Sequence, residues 1–172
     1  IKDSFKNLAF PSFDEHELLK CINELIRVDK EWLPKKPMHS LYIRPTGMSM
    51  ENSLGVKAAS AVKLFTILSP VGPYYPAGFK PVSIYCHTER VRAWHGGSGN
   101  MKLGCNYGPT IYPAFKLKGG IDQILWLVDG IVSEVGVMNF FVFWNNEKGE
   151  KELITCPLDG TILPGVTRDS IL

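Results

Sequence analysis

Apolar residues fall at 18, 19, 22, 25, 26 and 28, a spacing that turns one face of a helix toward a core. The preceding Pro11-Ser12-Phe13-Asp14-Glu15 predicts the helix start, with Ser12 as N-cap and Glu15 completing a capping box. Trp32-Leu33-Pro34 stops the run, since proline cannot donate a helix hydrogen bond. The period then changes. Over 40–46, Tyr42 and Arg44 alternate with Leu41 and Ile43, which predicts a strand with Tyr42 and Arg44 on one face. A loop is expected over 47–55, and the apolar run over 61–68 reads as a buried strand.

Between 69 and 81 the periodicity is lost, with four prolines and two glycines set around Tyr74 and Tyr75. That composition predicts an interdomain linker over 70–82, separating a small domain at 1–69 from a larger one at 83–172. Strand periodicity returns at 82–86. A helix is expected over 110–117, ended by Gly119-Gly120, and a buried strand over 123–128. The segment 132–136 and an apolar strand at 140–144 follow. Asn145-Asn146-Glu147-Lys148-Gly149-Glu150 reads as a hairpin turn returning into 152–155, and a helix start is expected at 169–172. The elements together give a mixed α+β or α/β chain of two domains.

Composition narrows this only a little. A chain of 172 residues can bury roughly 70% of its unfolded surface. Its 45% hydrophobic and 21% charged content is that of an ordinary globular protein. Nineteen basic residues stand against 17 acidic ones with no basic run, so nothing points to nucleic acid. No apolar run has the length needed to span a bilayer. The four cysteines form no C-x-x-C and read as reduced thiols, which favours a cytoplasmic protein, with a mitochondrial one as the alternative. The four histidines lack metal-site spacing, so no metal is expected.

The chemistry concentrates in Gly96-Gly97-Ser98-Gly99-Asn100-Met101-Lys102-Leu103-Gly104-Cys105-Asn106-Tyr107-Gly108, with five glycines in thirteen residues. A lysine desolvated in such a loop becomes a nucleophile; the alternative is a mobile surface loop with a solvated lysine. Gly97-x-Gly99 is not a dinucleotide fingerprint, because Lys102 stands where the third glycine belongs, and no Gly-Lys-Ser/Thr makes a P-loop. Three features remain: Lys102 with Tyr107, Glu134 between valine-rich neighbours, and Leu163-Pro164-Gly165-Val166-Thr167-Arg168. Their chemistry complements pyridoxal phosphate. An amine takes the carbonyl, an acid keeps the pyridine nitrogen protonated, and a helix N-terminus accepts the phosphate. A buried glutamate also calls for a cationic partner, and a pyridinium is one. Arg44 beside Tyr42 suits a carboxylate, the alternative being a plain exposed strand face.

Glu134-x-Gly136-x-x-Asn139-Phe140-Phe141, then Leu153-x-Thr155, then Leu163-x-Gly165-Val166-x-Arg168 resembles the long signature of class IV aminotransferases at every defined position. Leu41-Tyr42-Ile43-Arg44-Pro45, Ser53-Leu54-Gly55-Val56, Leu68-Ser69-Pro70-Val71-Gly72-Pro73-Tyr74 and Lys102-x-Gly104-x-Asn106-Tyr107 are similar to eukaryotic branched-chain amino acid aminotransferases. The resemblance implies a fold-type IV enzyme, with a small α/β domain and a barrel-like large domain. It implies transamination of leucine, isoleucine and valine with 2-oxoglutarate through a Lys102 Schiff base with pyridoxal phosphate. Glu134 would meet the pyridine nitrogen, Tyr107 the phenolic oxygen, and the backbone of Val166 and Thr167 the phosphate. Tyr42, Arg44 and Tyr74 would bind substrate, with Arg44 suited to the second carboxylate of glutamate. Leu54 and Val56 would touch the partner subunit of a homodimer.

The match has departures. Cys105 stands where a glycine is usual, Val137 replaces a threonine, and 47–52 differs from its usual form. Family members are roughly twice as long, so the resemblance implies a central portion, incomplete at both ends. A phosphate-binding arginine is expected just before Ile1 and a Gly-Ser-Gly-Thr-like loop after Leu172. Two alternatives stay beside this reading: a catalytically silent truncated isoform pairing with a full-length subunit, and a relative of D-amino acid aminotransferase or aminodeoxychorismate lyase.

Overall fold

A computed structural model describes residues 1–76 and 78–172. Helices and sheets are mixed, and the chain divides into two compact units, Ile1–Lys80 and Pro81–Leu172. Ala77, inside the stretch read as a linker, lies outside the described residues.

The first unit holds helices α1 (Lys2–Asn7) and α2 (Glu15–Val28) and strands β1 (Ser40–Ser49) and β2 (Val62–Val71). The strands form a two-stranded antiparallel sheet, in register from Ser40 opposite Val71 to Ser49 opposite Val62. β1 therefore takes the first three residues of the expected loop, 47–49, and β2 reaches past 68 to Val71. β2 is half-buried or exposed along its length rather than buried, because only one strand pairs with it.

Two expectations for α2 are corrected. Its N-cap is Asp14, not Ser12: the Asp14 carboxylate accepts from His16 N (2.8 Å) and Glu17 N (3.2 Å). Its apolar stripe is not core-facing in the full sense. Leu18, Ile22, Leu25 and Ile26 are half-buried, and no residue of α2 is buried. A groove lined by Leu18, Leu25, Leu64 and Phe65 separates the helix from β2. The packed centre is instead Phe5, which meets Phe10 and Phe13 edge-on at centroid distances of 5.3 and 4.9 Å.

The second unit is built on a three-stranded sheet of β3 (Ile84–His87), β4 (Gln123–Val128) and β5 (Ile131–Val135). β3 runs parallel to β4, and the chain between them carries the glycine-lysine stretch, a 3-10 turn at Gly104–Tyr107 and helix α3 (Gly108–Phe115). Asp129 and Gly130, both at positive φ (51° and 79°), close the β4–β5 hairpin, as a two-residue turn requires. β4 supplies the core through Ile124, Trp126 and Val128. The Trp126 indole N–H donates to Gly136 O (3.0 Å), so this large ring is buried with its one polar atom satisfied.

A separate hairpin pairs β6 (Phe141–Asn145) with β7 (Lys151–Thr155). The last helix, α4 (Val166–Ile171), starts three residues earlier than expected.

Candidate active site

Asn106 fastens the loop that carries Lys102. Its amide nitrogen donates to Ser98 O (2.7 Å) and Met101 O (2.8 Å), and its side-chain oxygen accepts from Ser98 Oγ (2.7 Å). Gly99 lies where the loop passes against its neighbours. A Cβ there would overlap Ala93 and stand 2.9 Å from Thr161 O, so only glycine fits. The Lys102 amine donates to the Tyr107 phenol oxygen at 2.5 Å. Lys102 is exposed rather than desolvated.

Glu134 comes to the same unit by way of an irregularity in the sheet. Leu125 pairs with Val135 but Leu127 with Val132, so two residues of β5 oppose one of β4. This bulge turns Ser133, Glu134 and Val135 inward together, all three buried. Both carboxylate oxygens of Glu134 are engaged. Oε2 meets Arg92 Nε at 2.7 Å, and Oε1 accepts from Leu163 N (2.7 Å) and Asn139 Nδ2 (3.3 Å). Burial raises its pKa above the ordinary carboxylate value. The Arg92 charge, the Leu163 N–H and the more distant Lys102 charge offset part of that rise.

The cation that a buried Glu134 calls for is thus within the chain, where the sequence reading named only a pyridinium. Arg92 was missed because nothing local marks it; it lies in irregular chain after β3, and its partner is on β5. Asn139 and Asn106 stood in the quoted motifs without a role, and each proves to be a hydrogen-bonding brace.

Gly165 caps the start of α4, and a Cβ there would overlap Asn139 Oδ1. Its first backbone-to-backbone bond is Asp169 N to Gly165 O, which leaves the N–H groups of Val166, Thr167 and Arg168 outside the helix ladder. A cavity of about 320 Å³ is lined by Tyr107, Trp126, Gly136 and Val137, so the residue that departs from the usual threonine borders the Tyr107 side. Cys105 is exposed in the 3-10 turn.

Tyr42, Arg44 and Tyr74 belong to the other unit. Arg44 stacks on the Tyr42 ring at 5.1 Å, both exposed on β1. Tyr74 is 72% exposed and meets Tyr75 edge-on. Leu54 and Val56 are fully exposed. Among the described residues no group of histidine, cysteine or acidic side chains could hold a metal, and no helix is long and apolar enough to cross a membrane.

A sequence model described as amino-transferase class IV matches residues 1–172. The chain is 55% identical to the branched-chain-amino-acid aminotransferase of Dictyostelium discoideum over 172 residues, which is 99% of this chain and 46% of that protein. It is 53% identical to the cytosolic branched-chain-amino-acid aminotransferase of Mus musculus (95% of this chain, 44% of that one). It is 51% identical to the mitochondrial one of Bos taurus (96% and 43%). The chain spans less than half the length of these relatives. With its whole length matched, and with the amine–phenol pair, the buried carboxylate and the free helix N–H groups in one unit, the chain belongs to the class IV aminotransferases.

Proposed function

We propose that the protein containing this chain transfers the amino group of leucine, isoleucine or valine to 2-oxoglutarate with pyridoxal phosphate as cofactor. The observation that carries this is the gathering of Lys102–Tyr107 and the buried Glu134 within one unit, beside relatives named for that activity. The donor set fits the cofactor group by group: an amine for a carbonyl, a phenol for a phenolate, a carboxylate for a pyridinium, and helix N–H groups for a phosphate. When bound, pyridoxal phosphate supplies a carbonyl that exchanges amines and a ring that accepts the electron pair released at the substrate's Cα.

Lys102 supplies the amine and moves the Cα proton. Tyr107, 2.5 Å from that amine, orients it and hydrogen-bonds the phenolic oxygen. Glu134 faces the ring nitrogen. Val166 and Thr167 donate backbone N–H groups to the phosphate. We assign Tyr42, Arg44 and Tyr74 to the substrate, with Arg44 receiving the side-chain carboxylate of glutamate and staying hydrated when an aliphatic side chain is bound. In this reading 1–69 is the small domain, 70–82 the linker and 83–172 the cofactor domain of a fold-type IV enzyme. Leu54 and Val56 meet the second subunit of a homodimer. The relatives occupy both cytosol and mitochondria, and we favour the cytoplasm.

The test is the absorbance of the full-length protein after gel filtration with pyridoxal phosphate, beside Lys102→Ala. A long-wavelength band that leucine bleaches and 2-oxoglutarate restores, absent in the variant, is the expected result. A full-length protein that stays colourless overturns the proposal.

A further inference from the structure

Arg92 has no role in the function proposed above, yet it is one of the most completely engaged side chains of its unit. Its side chain is 10% exposed and that of Glu134 2%. Each of its three guanidinium nitrogens has a partner. Nε meets Glu134 Oε2 at 2.7 Å, one terminal nitrogen donates to Thr161 O at 2.9 Å, and the other to Gly99 O at 3.2 Å. A single cation thus joins the buried carboxylate, the loop that leads to Lys102 and the segment that leads to α4.

We propose that Arg92 is a positioning residue that acts through Glu134, compensating its buried charge and fixing the carboxylate for the ring nitrogen of the cofactor. The inference deepens the proposed function and rests on it for the identity of that ring. Geometry carries it. A carboxylate has about four acceptor directions, and three are taken by Arg92, Leu163 N and Asn139, which leaves one for a further donor. A lysine could replace the charge but not the fork that reaches three acceptors on three segments.

The charged and titratable groups around Glu134 are Arg92, Lys102 farther off, and the neutral Cys156 thiol, which feels the Glu134 charge and sits near Asp159 and Arg168. Arg92 is the one in direct contact. Without it, burial acts on Glu134 with little opposition and the carboxylate takes up a proton at higher pH. A neutral Glu134 no longer stabilises a protonated ring nitrogen.

The experiment uses the full-length protein with Arg92→Met, Arg92→Lys, Glu134→Gln and the double variant Arg92→Met/Glu134→Gln. The first readout is urea unfolding without cofactor. Arg92→Met is destabilised, and adding Glu134→Gln recovers part of that loss, because the charge left unpaired has been removed. The second is the pH profile of the leucine half-reaction in the cofactor-loaded protein. In Arg92→Met the acid limb moves up by at least about one pH unit, a tenfold loss of rate below it, with KM nearly unchanged. Arg92→Lys restores the limb in part. A pH limb that stays in place, together with a double variant no more stable than Arg92→Met, overturns the proposal and leaves Arg92 a brace for Thr161 and Gly99. Should Arg92→Met fail to fold, the comparison of Arg92→Lys with the double variant decides the same question. A parent protein that binds no pyridoxal phosphate overturns the functional reading, while the unfolding comparison still decides whether Arg92 acts on Glu134.

Discussion

At the scale of single residues, the pH behaviour of Glu134 has a definite sign. Burial raises its pKa, so the folded chain keeps this proton to higher pH than the unfolded chain does. From the ordinary value of 4.5 upward to the raised one, the native state binds more protons and stability falls as pH rises. Glu134→Gln is expected to flatten that slope in urea unfolding followed across the acid range; an unchanged slope assigns the proton elsewhere. Asn106 gives a second residue-scale prediction. Asn106→Ala removes three hydrogen bonds of the Lys102 loop and leaves Ser98 O and Met101 O with only their backbone donors, Met101 N and Leu103 N. The expected cost is about 1–3 kcal/mol, with amide exchange accelerating over 98–103 before the sheet is affected.

At the scale of elements, the α2 N-terminus shows why some boundaries were legible and others not. Ser12-x-x-Glu15 and Asp14-x-x-Glu17 both have capping-box spacing, so the sequence placed a helix there but offered two starts. The hydrogen bonds of Asp14 select the second, and Asp14→Ala should lower stability by about 1 kcal/mol while Ser12→Ala leaves it within error. Alternation located β1, an apolar run located β4, and the turn composition at 145–150 located the β6–β7 hairpin. The bulge in β5 breaks that period, and strict alternation would have turned Ser133 and Val135 to the face opposite Glu134. Composition and chemistry, not periodicity, singled out Lys102, Glu134 and the segment 163–168, and the family signature then matched them. The Arg92 contact joins an irregular segment after β3 to a strand distant in sequence, which neither pattern nor signature encodes. The loop between β1 and β2 has its own clasp: Glu51 accepts from Ser60 N and Oγ (2.5 Å each) and pairs with Lys57 (3.1 Å). These partners, Ser60 first, hold Glu51 at a pKa of about 2. The clasp is therefore present above the ordinary carboxylate value and released as pH falls toward 2. Glu51→Gln should raise protease cleavage near 54–56 at neutral pH to the level the parent shows only in acid.

At the scale of the whole chain, large apolar side chains remain uncovered in both units. Phe143 is 68% exposed and Trp144 50% on β6, and Leu54 and Val56 are bare on the clasped loop. Sheets of two and three strands leave unpaired edges, which other chains can join. The 172-residue chain expressed alone is expected to bind an apolar dye and to associate with rising concentration. The full-length protein should do neither beyond a dimer, and Leu54→Ser with Val56→Ser should shift that dimer toward monomer by sedimentation. A monodisperse, dye-silent short chain would show that these faces need no cover.

The shared anchoring of Gly99 O and Thr161 O on one guanidinium has a consequence for engineering. Asp159 folds Thr161 into place by accepting from its N (2.9 Å) and Oγ1 (2.7 Å), so the anchor extends back to a turn of its own. The loop of Lys102 and the approach to α4 are therefore one transplantable module and not two. A chimera that imports 96–108 from a relative without 159–163 will inherit a mismatched joint, whereas exchange of both segments together with Arg92, which joins them, moves the joint intact.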